Sequence, residues 1–99
     1  MNQQDMISHA WALSEAVEHA VAEGDWTRAA ELAEIRSPLL MALHGDQPAD
    51  ALVTIGRIQA SIALVMEAAQ SAQAALVESH YKYVNQASAA SLYHQAAYL

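Results

Sequence analysis

From residue 49 to residue 99 the chain contains no proline and a single glycine, Gly56, while apolar residues recur at helical spacing through Leu52, Ile55, Ile58, Ile62, Val65, Met66, Ala69, Leu76, Tyr83 and Val84. Nothing in this stretch breaks a helix, and Ala, Leu, Gln and Met favour one. A third helix running to about Val84 would hold roughly 34 residues and reach about 50 Å at 1.5 Å per residue. This length limits every arrangement open to the chain, because the segment before it cannot match it.

The first 45 residues read as a helical hairpin. Asp5 is the expected N-cap of a first helix ending near Ala22 or Glu23, with Ile7, Trp11, Val17 and Val21 along one face and Gly24 as its stop. Asp25 caps a second helix whose wide apolar arc runs through Trp26, Ala29, Ala30, Leu32, Ala33, Ile35, Leu39, Leu40 and Leu43, with His44-Gly45 as the stop. Pro38 lies inside this helix and predicts a kink or an early end near Ser37, since it removes one backbone bond and crowds the carbonyl four residues before it. Trp11 and Trp26 are expected as core anchors, Trp26 tucked between the first two helices. Asp50, or Asp46 with Pro48 in the first turn, caps the third helix. Each of the first two helices spans about 28 Å, so they leave an overhang on the third from about Gln70. The fold expected is all-α: an antiparallel three-helix bundle with a short C-terminal helical extension, forming one domain over residues 1–99.

Charge divides the chain in the same place. Of eleven Asp+Glu and four Lys+Arg, residues 1–50 carry nine acids and two bases, a net −7, whereas residues 51–99 hold only Arg57, Glu67, Glu78 and Lys82 and are neutral. Four scattered bases make no phosphate-neutralising patch, and direct nucleic-acid binding is not expected. The absence of Cys removes disulfides, thiolate metal sites and a Cys nucleophile. No basic leader precedes an apolar run at the N-terminus, and no window of about 18 apolar residues is found, so neither secretion nor membrane spanning is expected.

Catalytic and cofactor constellations are missing from the pattern. Glu15 and His19 stand four apart, but neither a Glu-x-x-His pair nor His-Glu-x-x-His occurs. Ser8-His9 and Ser79-His80 are adjacent and point about 100° apart on a helix, which prevents the hydrogen bond that activates a hydroxyl. Gly24, Gly45 and Gly56 fit no phosphate-loop spacing. No enzyme, cofactor or metal site is expected. The stretch from Ala22 to Leu32 looks like the turn of a tetratricopeptide hairpin, but a solenoid needs several stacked units and only one is present.

The overhang is the expected functional surface. Val77, Tyr81 and Val84 share one helix face, and Leu76, His80 and Tyr83 form the adjoining stripe. A nearly uncharged surface of this kind needs a cover. Three covers fit: the tail after Asn85 folding back as a short fourth helix, a second copy in a homodimer, or an amphipathic helix of another protein.

The chain resembles the FliT family of bacterial flagellar export chaperones. The resemblance rests on Ala10-Trp11-Ala12-Leu13, on Gly24-Asp25-Trp26 followed by Ala29, Leu32 and Arg36, on Leu39-Leu40 and Leu43, and on a long helix with Ile55, Ile58 and Ile62. The ending from Ala87-Ser88-Ala89-Ala90-Ser91 to Ala96-Ala97-Tyr98 is similar as well. It implies a small cytoplasmic helical protein that binds the C-terminal segment of the filament-cap protein before export and delivers it to the export ATPase complex. Leu76, Val77, His80, Tyr81, Tyr83 and Val84 are the partner-binding residues expected on this reading.

Overall fold

The computed structural model describes the backbone of residues 1–97 and the side chains of residues 1–84. It consists of three helices, α1 (Gln3–Ala22), α2 (Trp26–Met41) and α3 (Ala49–Ala97), with no strand among the described residues. The chain divides into two compact units, residues 1–68 and residues 69–99. The first is a helical bundle of α1, α2 and the beginning of α3.

The turn between α1 and α2 is built from three residues with complementary roles. Glu23 closes α1, and Gly24 follows at φ +75°, a left-handed conformation that costs a side chain about 1–2 kcal/mol. This geometry lets the Gly24 N–H donate to the Val21 carbonyl at 3.0 Å and the Asp25 N–H to the Ala20 carbonyl at 2.9 Å, which satisfies two orphan carbonyls of α1. Asp25 then caps α2, its carboxylate accepting from the Arg28 N–H at 3.1 Å. Gly24 and Asp25 therefore act as expected.

Trp26 does not. It is 38% exposed and lies outside both core clusters, because it occupies the first position of α2, where the backbone bonds of the turn already fix the corner. Trp11 is half-buried and packs against the first cluster.

Other helix ends also differ from expectation. Asn2 caps α1 in place of Asp5: the Asn2 side-chain oxygen accepts the Asp5 N–H at 2.7 Å, which puts Asp5 inside the first turn. The α2 helix passes through Pro38 and continues to Met41. Pro38 lies in the last turn, where a single bond is lost and the Pro38 carbonyl still receives the Ala42 N–H at 3.1 Å. It stops before His44-Gly45 because another residue supplies the partners that a Gly stop would provide. Gln3 donates from Nε2 to the Ala42 carbonyl at 3.1 Å, and its Oε1 accepts from the His44 N–H at 2.9 Å and from Gln47 Nε2 at 2.8 Å.

Neither Asp50 nor Asp46 is the residue before α3. Helix α3 starts at Ala49, directly after Pro48, and Asp50 sits in its first turn, where its charge opposes the positive end of the helix dipole. The backbone of α3 runs past the expected end near Val84 to Ala97, through Ala- and Gln-rich sequence without Gly or Pro. Because residues 86–97 continue α3, the tail does not fold back as a separate fourth helix, and the side chains from residue 85 onward lie outside the described residues.

Two apolar clusters hold the first unit together. Ile7 and Ala10 of α1 meet Ile58 of α3, with Leu39, Leu40, Ile55 and Ile62 around them. Val17 and Ala20 of α1 meet Ala29 of α2, joined by Leu32, Ala33 and Val65. Between these clusters in sequence order lie three buried polar residues, one per helix: Ser14 (0% exposed), Arg36 (7%) and Ser61 (3%). The Ser14 hydroxyl donates to the Ala10 carbonyl at 2.8 Å, and Arg36 donates to the Ser14 oxygen at 3.0 Å. Burial lowers the Arg36 pKa from its ordinary value, since desolvation disfavours the cation.

With so few fully buried side chains, single truncations separate core from surface sharply. Ile58→Ala should cost about 2–5 kcal/mol, as cavity-forming changes do, and should unfold much of the population at 37 °C. Trp26→Ala should cost clearly less than the about 3–5 kcal/mol of a buried aromatic. Thermal denaturation of the two variants side by side checks this order.

Candidate partner-binding face

Residues 69–84 of α3 are exposed throughout, apart from half-buried Ala72. All six residues expected from the sequence to bind a partner, Leu76, Val77, His80, Tyr81, Tyr83 and Val84, are exposed, the five large apolar ones from 45% for Val84 to 71% for Leu76 and Tyr83. At about 100° per residue, Val77, Tyr81 and Val84 fall within one arc of about 60°. Leu76, His80 and Tyr83 fill the adjoining arc of similar width.

An open groove of about 680 Å³ follows the first of these arcs, lined by Gln70, Gln73, Ala74, Val77, Tyr81 and the Glu78–Lys82 pair. Val77 and Tyr81 line the groove, whereas Leu76, His80, Tyr83 and Val84 do not. The structure therefore places two of the six in the groove and the rest beside it. Gln70, Gln73 and Ala74 line it too, and they went unnoticed because short or polar side chains do not register in an apolar count. Their effect is to leave a depression between larger neighbours.

Lys82 Nζ lies 3.5 Å from Glu78 Oε1, one turn away, with both side chains about seven-tenths exposed. Such a pair contributes only tenths of a kcal/mol to the helix. Its larger consequence is for recognition: the two charges neutralise one another at the edge of an otherwise uncharged face. A partner that buries this face meets no net field to oppose it.

A second depression, of about 390 Å³, lies in the first unit among Leu40, Leu43, Leu52, Ile55 and Ile62. Its visible signal in the sequence was the apolar run of Leu39 and Leu40 at the end of α2 and Leu43 just beyond it. Elsewhere in that unit His19 Nε2 pairs with Glu23 at 3.0 Å, one turn toward the C-terminus, and not with Glu15. Among the described residues no three His, Asp or Glu side chains converge as a metal site would require. Contrary to the expectation that no such window occurs, α3 between Ala49 and Val84 contains an 18-residue window apolar enough to cross a membrane, of which 11% is buried.

Compared with known proteins, the chain matches no family model, no curated protein and no solved structure.

Because Tyr81 and Val84 contact solvent, a charge at either position should leave the free protein intact. Tyr81→Asp is expected to shift the thermal midpoint by a few degrees at most, corresponding to about 0.5 kcal/mol or less. Circular dichroism on heating reads this directly.

Proposed function

We propose that this chain is a cytoplasmic export chaperone or adaptor of the FliT type. In this reading the antiparallel three-helix bundle is a rigid base, and the C-terminal extension of α3 carries the client. The client is the C-terminal segment of a flagellar filament-cap protein, which is passed on to the export ATPase complex. The observation that carries the reading is the continuous exposure of residues 69–84 together with five large apolar side chains. An amphipathic client helix fits such a surface, since anchors spaced three, four and seven residues apart insert along a matching stripe. Val77, Tyr81 and Val84 provide that stripe, and Leu76, His80 and Tyr83 flank it.

The chemistry required is binding without catalysis. Unfolded export substrates expose apolar segments that aggregate, and covering one of them on a neutral face is sufficient protection. The acidic first half, net −7, keeps the complex soluble through mutual repulsion. A self-associating structural or regulatory protein is the second reading. It is favoured by the same neutral face, because two copies meeting there bring no net charge together.

Calorimetric titration of a filament-cap C-terminal peptide into the protein separates these readings. Binding is expected for the parent, with a loss of tenfold or more, about 1.4 kcal/mol, for Tyr81→Asp and Val84→Asp, each of which would bury an unpaired carboxylate in the complex. Glu15→Ala and Glu18→Ala are the controls and should change little. No binding by the parent, or parental affinity in both Asp variants, would remove the chaperone assignment. Sedimentation of the free chain then decides for self-association if it shows a dimer that Tyr81→Asp dissociates.

A further inference from the structure

Position 80 interrupts an otherwise apolar surface. On a helix the side chains three and four residues away are surface neighbours, and those of His80 are Leu76, Val77, Tyr83 and Val84, all of them large, apolar or aromatic, and exposed. Leu76 and Val84 stand about 40° to either side of it around the helix. His80 thus lies on the border between the two arcs of residues 69–84, and an occupant that spans both covers it.

Few charges surround the imidazole. The only other ionic side chains from 69 to 84 are Glu78 and Lys82. Each is two residues from His80 and therefore about 160° away around the helix, and the two are engaged with one another at 3.5 Å. The remaining titratable groups of the stretch are the phenols of Tyr81 and Tyr83, and phenols stay neutral through the physiological range. The stretch is open to solvent apart from half-buried Ala72, and His80 makes no ion pair among the described residues.

Imidazole is the side chain that changes charge between pH 5 and 8. In its neutral form it brings one donor and one acceptor to an interface, and one hydrogen bond offsets much of its desolvation. Protonated, it sets a cation in the middle of a face with no carboxylate in reach, and covering an unpaired charge is far costlier.

We propose that His80 makes client binding acid-sensitive: the face holds an apolar helix while the imidazole is neutral and releases it when the imidazole is protonated. The inference rests on the reading of residues 69–84 as the client face. Its sign follows from linkage, since a complex that disfavours the charged form sets proton uptake against client binding. Affinity is full above the ordinary titration range of imidazole and falls as pH drops through it, by up to about tenfold per pH unit.

Calorimetric titration of the filament-cap C-terminal peptide at about pH 7.5 and about pH 5.5 tests this, with the parent, His80→Gln and His80→Leu compared. The parent should bind about tenfold more weakly at the lower pH. Both variants, which cannot take up a proton at this position, should lose most of that difference. The other four histidines of the chain and every titratable group of the peptide are common to all three titrations, so the contrast between parent and variants belongs to position 80. A parent that binds equally at both pH values, or a drop that both variants retain in full, would overturn the inference and leave the chaperone reading standing. A parent that binds at neither pH would overturn both.

Discussion

The burial of Ile58 against Ile7 and Ala10 is the contact on which the rest of the structure depends. Among the described side chains of α3 it is one of two buried ones, the other being Ser61, and it brings the long helix onto the hairpin. Removing it would leave α1 and α2 as a two-helix hairpin whose buried apolar side chains are Ile7, Val17 and three alanines. Two short helices bury too little apolar surface to offset the entropy of ordering them. The small side chains at Ala10, Ala20 and Ala29 are part of the same solution, because close helix approach replaces bulk as the source of packing.

The same economy explains where polar groups do structural work. Gln3 holds the Ala42 carbonyl and the His44 N–H with a single amide, so the chain leaves α2 in a defined direction without a left-handed residue. At the other end of the hairpin Gly24 and Asp25 satisfy backbone groups of both helices. Turn geometry thus comes from hydrogen bonds, which frees the large aromatic at position 26 from any role in the corner.

Helix number, the absence of strands among the described residues, the Gly24-Asp25 turn and the uncovered stretch of α3 were all legible in the sequence, because each follows from spacing or from a backbone requirement. What was not legible depended on competition between near-equivalent residues. Asn2 and Asp5 are both good caps, and only the three-dimensional start of α1 decides between them. Pro38 reads as a breaker until its distance from the helix end is known. Trp26 reads as core because it is large, although its position at the first turn of α2 faces it toward solvent. Among the candidate site residues, Leu76, Val77, Tyr81, Tyr83 and Val84 were visible as an unpaired apolar stripe, whereas Gln70, Gln73 and Ala74 became part of the site only through the groove they line. The buried polar layer had no sequence signal at all, since Ser14, Arg36 and Ser61 are individually ordinary surface residues.

The account as a whole turns on the face of α3 between Gln70 and Val84 being the surface that takes a partner helix, in preference to the depression beside Leu40, Leu43 and Leu52. Amide chemical shifts of isotope-labelled protein, followed while an unlabelled filament-cap C-terminal peptide is added, measure this residue by residue. The account predicts shift changes concentrated from Gln70 to Val84, with α1 and α2 nearly silent. Changes centred on Leu40, Leu43, Leu52 and Ile55, or a spectrum that does not respond to the peptide, would contradict it.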